Sequence, residues 1–113
     1  MKESFDFIHA WRVIEERVHQ VAVDKGWWDH ERNDGEMIAL MHSELSEALE
    51  YLRHDNPPSD HIGAHSGAAE EMADCVIRIM DMGLARGWNV ADAIIDKIRF
   101  NAEREYKHGG KKF

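Results

Sequence analysis

Two short acidic stretches constrain this chain more than any other feature: Ser43-Glu44-Leu45-Ser46-Glu47-Ala48-Leu49-Glu50 and, further on, Glu70-Glu71-Met72-Ala73-Asp74. In a helix, residues three apart lie side by side, so each stretch would place a pair of carboxylates on one helix surface. Two such pairs facing each other form a four-carboxylate cage. Like charges crowded together resist ionising, and a hard divalent cation relieves them. The rest of the chain has to be read for whether it builds that cage.

A chain of 113 residues with 43% hydrophobic and 32% charged residues and only two prolines reads as one folded, helix-rich domain spanning 1–113. The formal charge of −8 argues against a general nucleic-acid binder, so no polymeric nucleic acid is expected as partner. That charge is uneven. Residues 97–113 hold six lysines and arginines against two glutamates, a local balance of +4 that leaves about −12 on the rest. An acidic body and a basic end suit a small polyanionic substrate bound with metal; a solvated basic tail explains the charge equally well. Cys75 is the only cysteine, which excludes a disulfide framework within the chain and fits a reducing compartment. No signal peptide or membrane-spanning run is evident, and a cytoplasmic protein without membrane association is expected.

Four helices are expected. Ser4 can cap the first, whose apolar positions Phe7, Ile8, Trp11, Ile14, Val18 and Val21 recur at three- and four-residue steps, with Gly26 as its stop. Trp27 and Trp28 then read either as a hydrophobic clasp or as a platform for a nucleobase. The second helix runs from about Asp34 to His54, with Ile38, Met41, Leu45, Ala48, Leu49 and Leu52 as its core face. Glu44 and Glu47 lie off the centre of its polar face, in a stripe with Leu40 and Tyr51. Unpaired acids in a partly apolar stripe are costly, so something should compensate them. Asn56-Pro57-Pro58 ends the helix. The following loop carries His61 and His65, which have the spacing of a metal pair but lack a third ligand and read as ordinary loop histidines.

The third helix is expected from Gly67 to Arg86, with Ala69, Met72, Ala73, Val76, Ile77, Met80, Gly83 and Leu84 as its apolar face. Glu71, Asp74, Arg78 and Asp81 form a narrow polar strip where a solvated face would lie anyway. Asn89 is a candidate cap for the fourth helix, which uses Ala91, Ile94, Ile95, Ile98 and Ala102 for its core and reaches about Tyr106. Lys97, Asn101 and Arg104 share one flank and could bind phosphate oxygens, or simply face water. The glycine-rich ending at 107–113 is expected to fray or to fold over a ligand.

Taken in order, Glu44-x-x-Glu47 on one helix, Glu71-x-x-Asp74 on the next, and Lys97 and Asn101 on the last make the chain resemble a MazG-like member of the all-α nucleoside triphosphate pyrophosphohydrolase superfamily. The resemblance covers roughly residues 5–106. It implies subunits that form homodimers or homotetramers with four-helix-bundle cores. Mg²⁺, with Mn²⁺ as a substitute, would be held by Glu44, Glu47, Glu71 and Asp74. The implied reaction is hydrolysis of nucleoside triphosphates, often deoxynucleotides, to the monophosphate and pyrophosphate. Lys97 and Asn101 would contact phosphates, with Arg104 beside them, and an aromatic near Trp28 would lie against the base. Many relatives have a further glutamate where this chain has Ser43, which leaves the number of metals open. Glu47 is the expected proton acceptor for the attacking water.

Three other readings compete. Phosphoribosyl-ATP pyrophosphohydrolase shares the acid pattern. A non-catalytic helical dimerisation module would have the same amphipathic pattern. A di-iron carboxylate bundle needs Glu-x-x-His pairs, for which Glu16/His19 and Glu105/His108 are the candidates.

Overall fold

The computed structural model describes residues 1–104, which form four α-helices. These are α1 (Lys2–Asp24), α2 (Asp34–Arg53), α3 (Gly67–Arg86) and α4 (Val90–Ala102). No β-strand occurs among the described residues, and none of these helices is long and apolar enough to cross a membrane. The ending at 107–113 and the Glu105/His108 pair lie outside the described residues.

Local chemistry accounts for most of the helix ends. The Asn33 side chain accepts from the backbone N–H groups of Gly35 and Glu36 and starts α2; Ser66 accepts from Ala69 and starts α3. Gly87 takes a left-handed conformation (φ 73°) that ends α3, with the N–H of Trp88 donating to the Gly83 carbonyl and that of Gly87 to the Leu84 carbonyl. Ser4 does not cap α1, because the helix begins two residues earlier with no side-chain cap. Asn89 stands at the cap position of α4 without making a capping bond, and α4 stops at Ala102 rather than near Tyr106.

α2 and α3 form an antiparallel hairpin. Arg86 at the end of α3 pairs with Asp34 at the start of α2, and Gly67 at the start of α3 lies under the Tyr51 ring near the end of α2. α1 packs against α3, and α4 against α1. The hairpin core is Met37, Met41, Cys75 and Met82, joined by Trp28 and Ile79. Methionine fills irregular gaps well, which suits an interface also threaded by charged groups.

The inward faces differ from the expected ones. On α2, Met41 and Ala48 are buried together with Met37 and Glu44, whereas Ile38, Leu45, Leu49 and Leu52 are 43–51% exposed. On α3, Met80 and Gly83 are buried, but Met72, Val76 and Ile77 are exposed and the supposed solvated strip turns inward: Glu71 and Asp81 are each 7% exposed. α3 thus turns Glu71 and Asp81 toward the interior, and α2 adds Glu44, while Glu47 stays exposed. At 100° per residue in an antiparallel pair, Ile38, Leu45, Leu49 and Leu52 fall on the same side of the hairpin as Met72 and Val76, an apolar flank that no other helix among the described residues covers.

Candidate metal and ligand site

Two clusters of acids sit between α2 and α3. Ligand atoms of Glu44, Glu47 and Glu71 all lie within 4.8 Å of one another, and the same holds for Glu70, Glu71 and Asp74. Of the expected foursome, Glu44, Glu47 and Glu71 are brought together, while Asp74 falls in the second group and meets the first only through the shared Glu71. Glu70 is already engaged: Ser59 Oγ donates to its Oε1 (2.7 Å) and His61 Nδ1 contacts its Oε2 (2.8 Å). That leaves Glu44, Glu47 and Glu71 as the better donor set. Neither cluster includes a histidine.

The electrostatics fit a cation. Glu71 Oε2 is buried with no hydrogen-bond partner among the described residues, a costly state for a carboxylate. Burial, followed by the neighbouring Glu44 and Glu47, pushes the Glu71 carboxyl from its ordinary 4.5 up to about 8. Asp74 is raised as well, first by burial and then by the charges of Glu44 and Glu70. Burial works in the same direction on Glu44, but hydrogen bonding from Glu71 and from the Arg78 guanidinium outweighs it and holds Glu44 below the usual carboxylate range. Arg78 Nε donates to Glu44 Oε1 at 3.0 Å. An all-oxygen donor set containing a buried, unsatisfied oxygen suits a hard divalent ion such as Mg²⁺ or Mn²⁺.

A cavity of about 250 Å³ opens beside these acids. Glu44, Asp74 and Asp81 line it together with Lys25, Arg32, Arg78 and Trp27, and Val18, Val21, Ala22 and Ile77 add apolar wall. Trp27 is half exposed, with the guanidinium carbons of Arg32 and Arg78 at 5.5 and 5.4 Å from its ring centre. Trp28, expected near a base, has another position. Its Nε1 donates to Asp81 Oδ1 at 3.0 Å and its ring packs on the hairpin core. The aromatic wall of the cavity is thus Trp27, and Trp28 is the clasp.

Asp81 is the hub of that clasp. His19 Nδ1 lies 2.7 Å from Oδ1, and an Arg32 guanidinium N–H donates to Oδ2 at 3.1 Å. His19 is committed there, so the Glu16/His19 pair is not aimed at the acid clusters. Lys97, Asn101 and Arg104 are exposed on α4 and its end, and none of them lines the cavity. Lys97 Nζ instead lies 4.3 Å from the centre of the Phe100 ring. Among the described residues, Lys25, Arg32 and Arg78 are the cations lining the cavity; sequence reasoning assigned Lys25 and Arg32 no role and put Arg78 in a solvated strip. Arg78 could have been found, since it follows Asp74 by four residues on the same face. Lys25 and Arg32 flank a non-periodic loop that offers no such signal.

No family model, curated protein or solved structure matches this chain.

Proposed function

We propose that this chain hydrolyses nucleoside triphosphates, foremost deoxynucleoside triphosphates, to the nucleoside monophosphate and pyrophosphate with Mg²⁺, as the resemblance to MazG-like enzymes implies. The observation that carries the reading is the convergence of Glu44, Glu47 and Glu71 around a buried, unpartnered carboxylate oxygen at the edge of a cavity walled by Trp27 and three cations. Glu44, Glu47 and Glu71 would hold the ion, with Asp74 beside Glu71. Bound there, Mg²⁺ would offset charge on phosphoryl oxygens and lower the pKa of a coordinated water.

The chain's own groups do the rest in this reading. Glu47, the exposed member of its cluster, accepts the proton of the attacking water. Trp27 stacks on the base, while Lys25 and Arg78 pair with phosphate oxygens by charge and donated hydrogen bonds, and Arg32, held by Asp81, adds positive charge to the wall. Positioning and electrostatics carry the rate, with no covalent intermediate on the protein. Lys97, Asn101 and Arg104 would reach the phosphates only from a second copy. The uncovered apolar flank of the α2–α3 hairpin supports such a homodimer, packing two hairpins into a four-helix core.

The test is a panel of nucleoside triphosphates plus phosphoribosyl-ATP, assayed with Mg²⁺ for pyrophosphate against orthophosphate, on the wild type and Glu47→Gln. Pyrophosphate release from nucleotides, lost in the variant, supports the proposal. Preference for phosphoribosyl-ATP moves the chain to the related activity. No turnover of any nucleotide by a dimer leaves the helical dimerisation module as the reading.

A further inference from the structure

Arg78 stands in an unusual place for a surface-strip arginine. Its Nε bonds Glu44 Oε1 at 3.0 Å, within the cluster where Glu71 Oε2 is buried without a partner, while its guanidinium carbon lies 5.4 Å from the centre of the Trp27 ring. Glu44 is 7% exposed, so without a cation beside it the ionised carboxylate would be strongly disfavoured. In the protein alone, that cation is Arg78. A divalent ion at Glu44, Glu47 and Glu71 would bring two positive charges close to the guanidinium, in surroundings that screen poorly. Arginine has a long flexible stem, and a face of Trp27 is already within cation–π range.

We infer that Arg78 is the resident counter-ion of Glu44 and that an arriving divalent cation displaces it, turning the guanidinium into the cavity beside Trp27. This rests on the metal reading of the acid cluster and adds an order to it: the ion binds first, and its binding releases a cation that faces the ligand cavity. The charge that stabilises Glu44 becomes a charge available to an anionic substrate. Arg32 does not share this role, because it is held by Asp81.

Two measurements test the exchange, neither of which depends on turnover. The first is calorimetric titration of Mg²⁺ at about pH 9, where the acids are largely ionised. Arg78→Gln removes the competing charge and should lower the Mg²⁺ dissociation constant about tenfold, whereas Arg78→Lys, which keeps the charge, stays near the wild type. The second uses the wild type alone, so a folding defect in a variant cannot obscure it. In ¹⁵N spectra, Mg²⁺ should move the Arg78 Nε–H signal and speed its exchange with water. The Nε–H of Arg86, bonded to Asp34 Oδ1 at 2.7 Å at the other end of α3, should stay still. If Mg²⁺ binds but the Arg78 signal keeps its position and protection, or Arg78→Gln binds Mg²⁺ no more tightly, Arg78 is a fixed brace for Glu44 and the exchange is overturned while the metal site stands. If neither heat nor a spectral change follows Mg²⁺ in the wild type or in the variants, the metal reading falls and the exchange falls with it.

Discussion

Trp28 and Asp81 are joined by a hydrogen bond from the indole Nε1 to Oδ1 at 3.0 Å, which ties the loop after α1 to the middle of α3. Asp81 also holds Arg32 and His19, so one buried carboxylate fixes α1, the loop and α3 together. The cavity wall formed by Trp27 and Arg32 depends on this junction. Positioning of the candidate ligand site is therefore a property of Asp81, which is 7% exposed.

Asp81→Ala should destabilise the fold by about 3 kcal/mol, because it leaves the largely buried Arg32 guanidinium and the Trp28 indole N–H without an acceptor. Urea denaturation followed by circular dichroism measures this. Trp27→Ala, at a half-exposed ring, should change stability by less than about 1 kcal/mol and instead raise KM for a nucleotide. Equal stability losses in the two variants would contradict the division between clasp and cavity wall.

Metal-free protein should lose stability as pH rises from about 5 toward about 8. Glu71 binds its proton up to about pH 8 when folded but only to about 4.5 when unfolded, so across that window the folded state holds the extra proton and deprotonation favours unfolding. Asp74 and His61 are also raised and act in the same direction. The lowered Glu44 acts oppositely, its contribution being lost only as pH falls below the ordinary carboxylate range. Thermal melts across pH should show the decline, a shallower one in Glu71→Gln, and its reversal at high pH on adding Mg²⁺.

Gly67 has no room for a side chain, since a Cβ there would collide with the Tyr51 ring. Gly67→Ala should cost about 1–3 kcal/mol by forcing the ring aside. Truncating the ring in a Gly67→Ala/Tyr51→Ala double variant should recover part of the added loss, read as a coupling energy in a double-mutant cycle. Additive losses would mean the two residues do not meet as described.

Leu49→Lys on the uncovered flank should leave the helical spectrum and the stability of the isolated chain within about 0.5 kcal/mol, because Leu49 is 49% exposed. Sedimentation should show the wild type as a dimer and the variant shifted to monomer. A wild type that stays monomeric at high concentration would remove the proposed second copy.

The bounds of α2 and α3 are legible in the residues because caps and stops act within one turn. Asn33, Ser66 and Gly87 each do their work through backbone groups two to four positions away. The acid pairs are legible for the same reason, being a matter of helical period. The inward face was not. Ile38, Leu45, Leu49 and Leu52 form the most apolar stripe of α2, and a rule that sends the most apolar stripe to the core assigns them there. Of the expected face the structure buries only Met41 and Ala48, and it adds Met37 and Glu44 while leaving these four bulkier aliphatics exposed. Where a helix has two apolar sides, periodicity alone does not say which one the chain uses for itself.

By itself, then, the sequence determined four helices, their ends to within a few residues, and two carboxylate pairs at helical spacing. The tertiary structure decided that the strip of Glu71, Asp74, Arg78 and Asp81 faces inward, that Trp28 is a clasp while Trp27 lines the cavity, and that Arg78 answers Glu44. The physical reason is range. Caps and periods depend on neighbours a few residues away, whereas Arg78 meets Glu44 across 34 residues and His19 meets Asp81 across 62. Contacts of that separation exist only once the helices have chosen their faces, and they offset the cost of burying Glu44 and Asp81 by pairing each with an arginine.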